Sequence, residues 1–482
     1  MEFLHIIPAK TGDILEFIRC MEKRKDRDEH KFLALVSRNT AIRYVPELLA
    51  FPYLEYLETP KGSFSSSRRL RYLKKRLQKA DVIIWHSLAM FSGNFIPLLY
   101  RNPELCAKSV WIENGQDPDS WESKPDAWEN ARFKRQNRAV RARIPVVGVP
   151  LAADAEYIRR LWPDKRVMTL PYPLRADYVA AADEVRAQPP HNFSAFFRDI
   201  RESSDILDFM QWLDVQQDTR DNTKETEEPE NTPEQAEQNT SPAEGETAEA
   251  APEAEEESGE LSETLAEEEN GEAVPIDGEG EPDIPEEEVP EDTLRPPHIQ
   301  IGLSSTRLNH HLALFQALTA YRGIQHETFV PMNHTLEKLT YDLGPKKYRD
   351  NVTSAGKKQW GDLFHVLSNR SDREAYFRYL SELDVAVLGN RTSICAQYLL
   401  LLIRAGIKLY YTKNSYVFAW LKKCGVPVYM VEDLQDVPYA DFLARDDAWE
   451  LPDELKLYYD QEAVMDAWGE LFHECKMQRG SK

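Results

Sequence analysis

The chain has 482 residues, 42% of them hydrophobic, and a formal net charge of −23. Residues 221 to 294 hold 29 Asp or Glu against one Lys, a charge of −28, so everything outside that tract is net +5. The low overall pI of about 5.0 therefore does not describe the rest of the chain, which at some 400 residues exceeds one core and fits two domains of roughly 150 to 200 residues each.

In chain order, short apolar runs rich in Ile and Val occur at Phe3 to Ile7, Phe32 to Val36, Val82 to Trp85, Val110 to Ile112, Val146 to Val149 and Val167 to Leu170. Between them, helix-like patterns lie at about 13 to 23, 66 to 79, 123 to 142 and 152 to 161. Continuous apolar strands alternating with amphipathic helices predict a mostly parallel sheet covered on both faces. The acidic tract follows. It has no aromatic residue, Cys or His and is rich in Glu, Pro, Ser and Thr. Such a composition cannot bury enough apolar surface to offset its ordering entropy, so a disordered linker is expected. Beyond it the alternation resumes, with strands near 299 to 301, 327 to 330, 364 to 367, 385 to 388, 408 to 411 and 427 to 430. The expected fold class is α/β, with two doubly wound Rossmann-like domains facing a cleft. The halves share an architecture without a residue-level repeat.

Ligands in open α/β sheets bind at the carboxyl ends of the strands. The residues that follow strands are therefore the informative ones: His86, Glu113 to Asp117, Tyr172 to Arg175, Gly302 to His311, Asn333, His334 and Asn390 to Ser393. The segment after Ile301 stands out. Gly302 permits close backbone approach, Ser304, Ser305 and Thr306 offer hydroxyls, and Arg307 can pair with a diphosphate in bidentate fashion. Leu308, Leu312, Phe315 and Leu318 then recur at helical spacing, so a helix start is expected to aim bare amides at a phosphate. The alternative is an ordinary capped helix with a solvated Arg, its Asn309 and His311 facing solvent. Neither G-x-G-x-x-G nor a Walker A pattern occurs.

Five cysteines, Cys20, Cys106, Cys395, Cys424 and Cys475, are scattered and never form a C-x-x-C pair. They argue against a disulfide scaffold or zinc site and for a reducing compartment. The apolar run at the start is too short for a signal peptide, and that at Leu399 to Ile403 is far short of a membrane span. A cytoplasmic protein with at most peripheral membrane contact is expected.

Several segments together resemble the TDP-N-acetylfucosamine:lipid II N-acetylfucosaminyltransferase family of enterobacterial common antigen synthesis. Gly302, Ser304, Asn309 and His311 stand in register with that family's Gly-Asn-Ser-Gly-Asp-x-Ser-Asn-x-His loop. Val330-Pro331-Met332, the run Tyr376, Leu380 and Asp384, and Leu401-Leu402-Ile403-Arg404-Ala405-Gly406-Ile407 are similar to its later motifs. In the first half Leu4-His5, His86, and Trp111 with Gly115 and Asp117 are similar to its early ones. The chain departs at Leu303, Ser305, Thr306 and Leu308, and has Cys395-Ala396-Gln397 where the family has Gly-x-Gly.

The resemblance implies a metal-independent GT-B glycosyltransferase without a cofactor. It would move an amino-deoxysugar, 4-acetamido-4,6-dideoxygalactose or similar, from a TDP- or UDP-sugar donor to a polyprenyl-diphosphate-linked acceptor at the inner-membrane surface. On that reading residues 1–180 form the acceptor domain, 181–217 a helical connector, 218–296 the disordered acidic linker and 297–482 the nucleotide-sugar domain. Gly302, Ser304, Arg307, Asn309 and His311 would hold the donor, since a helix N-terminus with Arg and His donors stabilises a leaving diphosphate without a cation.

A base is needed for the acceptor hydroxyl. The candidates are His86 and Asp117, with Glu113 or His5 behind them, although a lone His after a strand is more often structural. Asp117-Pro118-Asp119 also fits the D-x-D of metal-dependent GT-A transferases, against which the central Pro and two-domain layout count. In the basic stretch Arg68 to Lys79, Leu70, Leu73 and Leu77 share a face, and Arg71, Lys74, Lys75 and Arg76 would meet anionic headgroups; the alternative is a core-facing stripe with a solvated basic face. A second basic cluster runs from Arg132 to Arg143. Sparse aromatic interleaving argues against nucleic acid. The rival to catalysis is an inactive transferase-like scaffold whose acidic tract engages a basic partner.

Overall fold

The computed structural model describes residues 1–8, 12–37, 54–59, 68–88, 92–113, 128–191, 193, 295–332, 346–367, 373–446 and 449–480. The acidic tract, Asp117, Asn333 and His334 lie outside the described residues.

Among the described residues the strands form two all-parallel sheets. The first joins β1 (Phe3–Pro8), β2 (His30–Ser37), β3 (Leu54–Thr59), β4 (Val82–Trp85), β5 (Ser109–Ile112), β6 (Val146–Val149) and β7 (Arg166–Thr169), in the order β3-β2-β1-β4-β5-β6-β7. The second joins β8 (His298–Ile301), β9 (Glu327–Pro331), β10 (Phe364–Leu367), β11 (Val385–Leu388), β12 (Lys408–Tyr411) and β13 (Val428–Met430), in the order β10-β9-β8-β11-β12-β13. Both orders reverse direction once, between β1 and β4 and between β8 and β11. Each sheet therefore has one topological switch point, where a crevice opens at the carboxyl ends of the strands.

The strand runs read from the sequence match closely, with one further strand, β3, and further helices in the first half, among them Ser92–Arg101. Strand β3 has no continuous apolar run: Glu55 and Glu58 interrupt its apolar residues, as suits an edge strand, while Leu54 and Leu57 are buried. Helix Ser92–Arg101 carries Pro97 in its interior, which argues against a helix on propensity alone. Its Phe95, Ile96 and Leu99 are nonetheless buried in the first lobe's core, so packing overrides the local preference.

Two segments cross between the lobes. Helix Ala176–Ala187 belongs to the second lobe's core through Tyr178, Ala181, Ala182 and Val185. Helix Gln461–Gly480, at the far end of the chain, packs Val464, Met465, Trp468, Leu471 and Phe472 into the first lobe beside Phe3, Phe17 and Tyr172. The first lobe therefore completes its core with residues from both ends of the sequence.

Candidate functional site

The carboxyl edges of the two sheets meet. Helix Ala152–Leu161, which follows β6, brings Asp154 to the loop that follows β11. The Asp154 carboxylate accepts hydrogen bonds from the Ser393 amide, at 3.0 Å, and from the Ser393 hydroxyl. Both side chains are buried, and burial outweighs these bonds to push the Asp154 pKa up to about 6. Nearby, Arg160 donates to the Tyr416 hydroxyl at 3.0 Å and Gln397 to the Pro173 carbonyl at 3.4 Å.

On the second lobe the loop after β8 lies at the switch point. Gly302 has φ +74°, and a β-carbon there would stand 2.6 Å from His311 Nε2. Only glycine fits that backbone and that gap. Across the switch point a β-carbon at Gly389 would fall 2.5 Å from the Asn309 carbonyl oxygen, so the loops after β8 and β11 are in close backbone contact. Asn309 ties the loop together: its Oδ1 accepts from the Leu303 amide at 3.0 Å, while its Nδ2 donates to the Ser304 carbonyl at 2.8 Å and hydroxyl at 2.9 Å.

The long helix expected from Leu308 onward is not formed. A 3-10 turn, Arg307–Asn309, is capped by Thr306, and His310 adopts a left-handed conformation with φ 52°. The helix proper runs only over His311–Ala317. That break shifts the helical phase, so Leu312 is 45% exposed, whereas Leu314, Phe315 and Leu318 fill the core. Asn309 and His311 are fully buried and face neither solvent nor the loop's outer surface; Arg307 and His310 are the exposed members. The Arg307 guanidinium lies 5.7 Å from the ring centre of Tyr348.

His311 is held with a free nitrogen. Its Nδ1 lies 3.0 Å from the Tyr348 hydroxyl, and burial holds its pKa down at about 3, so the ring is neutral. With the Tyr348 hydroxyl donating to Nδ1, the ring proton sits on Nε2 and points at the space left by the missing Gly302 side chain. Among the described residues neither His311 Nε2 nor the buried Ser305 hydroxyl has a hydrogen-bond partner. These two unpartnered buried polar atoms belong to the same switch-point loop as the exposed Arg307. Ser305 and Tyr348 are additions to the set read from the sequence.

The first lobe's candidates fall out differently. His86 follows β4 and is fully buried with both ring nitrogens engaged: Nε2 is 2.9 Å from His5 Nδ1 and Nδ1 is 2.7 Å from the Tyr172 hydroxyl. It therefore presents no ring nitrogen directly to an acceptor. Glu113 is also buried, at 1% exposure. In helix Arg68–Lys79 the shared apolar face points inward, Leu73 and Leu77 being fully buried. Arg71 and Lys75 are exposed and Lys74 half-buried. Arg76 is not a free cation: it is bound by Glu55 at 2.8 Å and by Glu2 at 3.1 Å. Arg141, within the second basic cluster, is buried against the Trp111 ring at 4.7 Å.

Solved structures share this architecture. HepE from Anabaena, in complex with UDP and glucose, superposes with a TM-score of 0.52 at 10% sequence identity, covering 98% of this chain and 99% of that one. Sucrose-phosphate synthase from Thermosynechococcus elongatus superposes with a TM-score of 0.51 at 9% identity, covering 99% of this chain and 100% of that one. No protein-family model and no curated protein sequence matches the chain. The fold is GT-B: two Rossmann-like lobes whose carboxyl edges face one another.

Proposed function

We propose that the protein is a GT-B glycosyltransferase that takes a nucleoside-diphosphate sugar on its second lobe and passes the sugar to an acceptor hydroxyl on its first. The observation that carries this reading is the Gly302 loop, where His311 Nε2 and the Ser305 hydroxyl have no partner among the described residues and Arg307 stands exposed. The shared fold with a protein whose structure holds UDP and glucose supports it. Within that site, Gly302 lets the loop's backbone close onto His311, Ser304 and Asn309 hold the loop's shape, and Arg307 faces the developing charge with His311 behind it. This arrangement needs no cation to neutralise the leaving group. Asp117 and, through the groups it touches, His86 are the candidates for removing the acceptor proton.

At the finer level, the loop and the later motifs that resemble the N-acetylfucosaminyltransferases favour an amino-deoxysugar carried on TDP or UDP and a polyprenyl-diphosphate-linked saccharide as acceptor. Thermal-shift titration tests the donor site. TDP or UDP should raise the melting temperature, and Arg307→Ala should weaken nucleotide affinity roughly 10- to 100-fold, in line with the roughly 1.5–3 kcal/mol of a charged hydrogen bond. No shift with any nucleotide would favour the inactive scaffold instead.

A lipid-linked acceptor requires contact with a cytoplasmic membrane surface. No helix among the described residues is long and apolar enough to cross a membrane; the exposed cations Arg71 and Lys75 of helix Arg68–Lys79 are the face assigned to that contact. Replacing Arg71 and Lys75 with Gln should weaken pelleting with anionic vesicles at low salt, by up to about 1 kcal/mol per cation. Pelleting that ignores both salt and these substitutions would remove the membrane claim.

A further inference from the structure

Four aromatic side chains that the donor site leaves unused form a continuous line through the first lobe. The Tyr172 hydroxyl is 2.7 Å from His86 Nδ1, His86 Nε2 is 2.9 Å from His5 Nδ1, and His5 Nε2 is 2.9 Å from His30 Nδ1. At the far end His30 Nε2 stands 3.8 Å from the Asp26 carboxylate. That gap is longer than a direct hydrogen bond and is one that a small side-chain shift closes. His5, His30 and His86 are at most 1% exposed and Tyr172 is 6% exposed, while the Asp26 side chain is 21% exposed.

The register gives the line a direction. His30 opens β2 and pairs with Phe3 at the amino end of β1, His5 lies within β1, and His86 is the first residue after β4. The line thus crosses the sheet from the β1/β4 switch point, at the cleft edge, to the opposite edge. Phe17, Trp468 and Phe472 cover it. His86 lies 5.6 Å from Trp468 and His30 4.5 Å from Phe472, between ring centres. At its outer end Asp26 is paired with Arg24 at 3.0 Å and with Lys476 at 3.7 Å, and Glu29 faces the same end.

We propose that Tyr172, His86, His5 and His30 form a proton relay that carries the acceptor's hydroxyl proton from the cleft edge of the first lobe to Asp26. The inference rests on the transferase reading above. As the acceptor O–H bond breaks, its proton joins the Tyr172 oxygen and the phenolic proton passes to His86 Nδ1. The proton on His86 Nε2 passes to His5 Nδ1, that on His5 Nε2 to His30 Nδ1, and that on His30 Nε2 to the Asp26 carboxylate. The acceptor oxygen keeps the electron pair and attacks the sugar carbon as the bond to the diphosphate breaks. Every imidazole ends neutral with its tautomer reversed, and the line resets when the proton returns and leaves through the open cleft. Such an arrangement removes a proton without placing a charge among the aromatic rings.

Ring nitrogen-15 NMR of the full-length protein tests the line without calling on activity. Wild type should show one tautomer for all three imidazoles, and Tyr172→Phe should move the signals of His5 and His30 as well as His86. Changes confined to His86 would overturn the relay. With a UDP- or TDP-linked amino-deoxysugar and a polyprenyl-diphosphate-linked saccharide, His5→Gln and Asp26→Asn should lower kcat about 10²-fold, as for loss of a general base. Donor KM should change less than about twofold and the melting temperature of Asp26→Asn should stay close to that of wild type. Full kcat in either folded variant would also overturn the relay. Long-range coupling in a wild-type protein that binds nucleotide but transfers no sugar would overturn the relay's catalytic use. Failure of nucleotides to shift the melting temperature would instead overturn the transferase reading.

Discussion

Trp468→Ala is expected to be the most damaging single truncation, lowering stability by roughly 3–5 kcal/mol, the usual cost of emptying a large aromatic site. Trp468 is fully buried, lies 4.5 Å from Phe17 between ring centres, and donates its indole N–H to the Pro171 carbonyl at 2.7 Å. The carbonyl belongs to the crossing between the lobes, so the variant loses both a packed ring and the partner of a buried acceptor. Because helix Gln461–Gly480 supplies a whole flank of the first lobe's core, removing its anchor should loosen the helix as well. Denaturant unfolding of Trp468→Ala beside the exposed Asp466→Ala on the same helix measures the effect. A difference of less than about 1 kcal/mol between them would show that the helix is not part of the first lobe's cooperative unit.

The second large effect is on pH. Burial holds His5 well below the usual imidazole range, and brings His30, His298 and His326 to about 4 and His86 and His311 to about 3. In the unfolded chain each takes up a proton below about pH 6.5. Between that value and about 4 the unfolded state therefore binds more protons than the folded one, so stability is full above pH 6.5 and is lost as the pH falls. For His30 alone the loss is on the order of 3 kcal/mol, at about 1.4 kcal/mol per pH unit. Asp154 works in the opposite direction, since its carboxyl is pushed up to about 6 and favours the fold increasingly as the pH falls through that value. One carboxyl does not offset six imidazoles. The urea midpoint is expected to drop steeply between pH 7 and pH 5, and a flat midpoint over that range would contradict the neutral, buried histidines.

The sequence reading was strongest where a residue's environment depends on its neighbours in the chain. Buried parallel strands need unbroken apolar runs, and those runs placed most of the strands. It was weaker at β3, whose acidic residues suit a sheet edge, and at Ser92–Arg101, whose Pro97 argues against the helix that packing enforces. At the Gly302 loop the glycine, the hydroxyls and Arg307 were legible. The turn at His310 was not: leucine spacing reports period, whereas the break is a left-handed backbone at His310, beside the close contact between Asn309 and Gly389.

Buried strands and the helices between them follow from local composition, and the chain by itself therefore determined two α/β lobes and a loop of small hydroxyl residues after β8. Tertiary structure alone decided that Asn309 and His311 lie behind that loop, that Arg76 is bound by Glu55 and Glu2, and that His5, His30 and His86 touch. The physical reason is separation along the chain: His5 and His86 are 81 positions apart, yet meet at 2.9 Å because adjacent parallel strands bring them into line. No local pattern encodes a contact whose closure depends on the whole sheet.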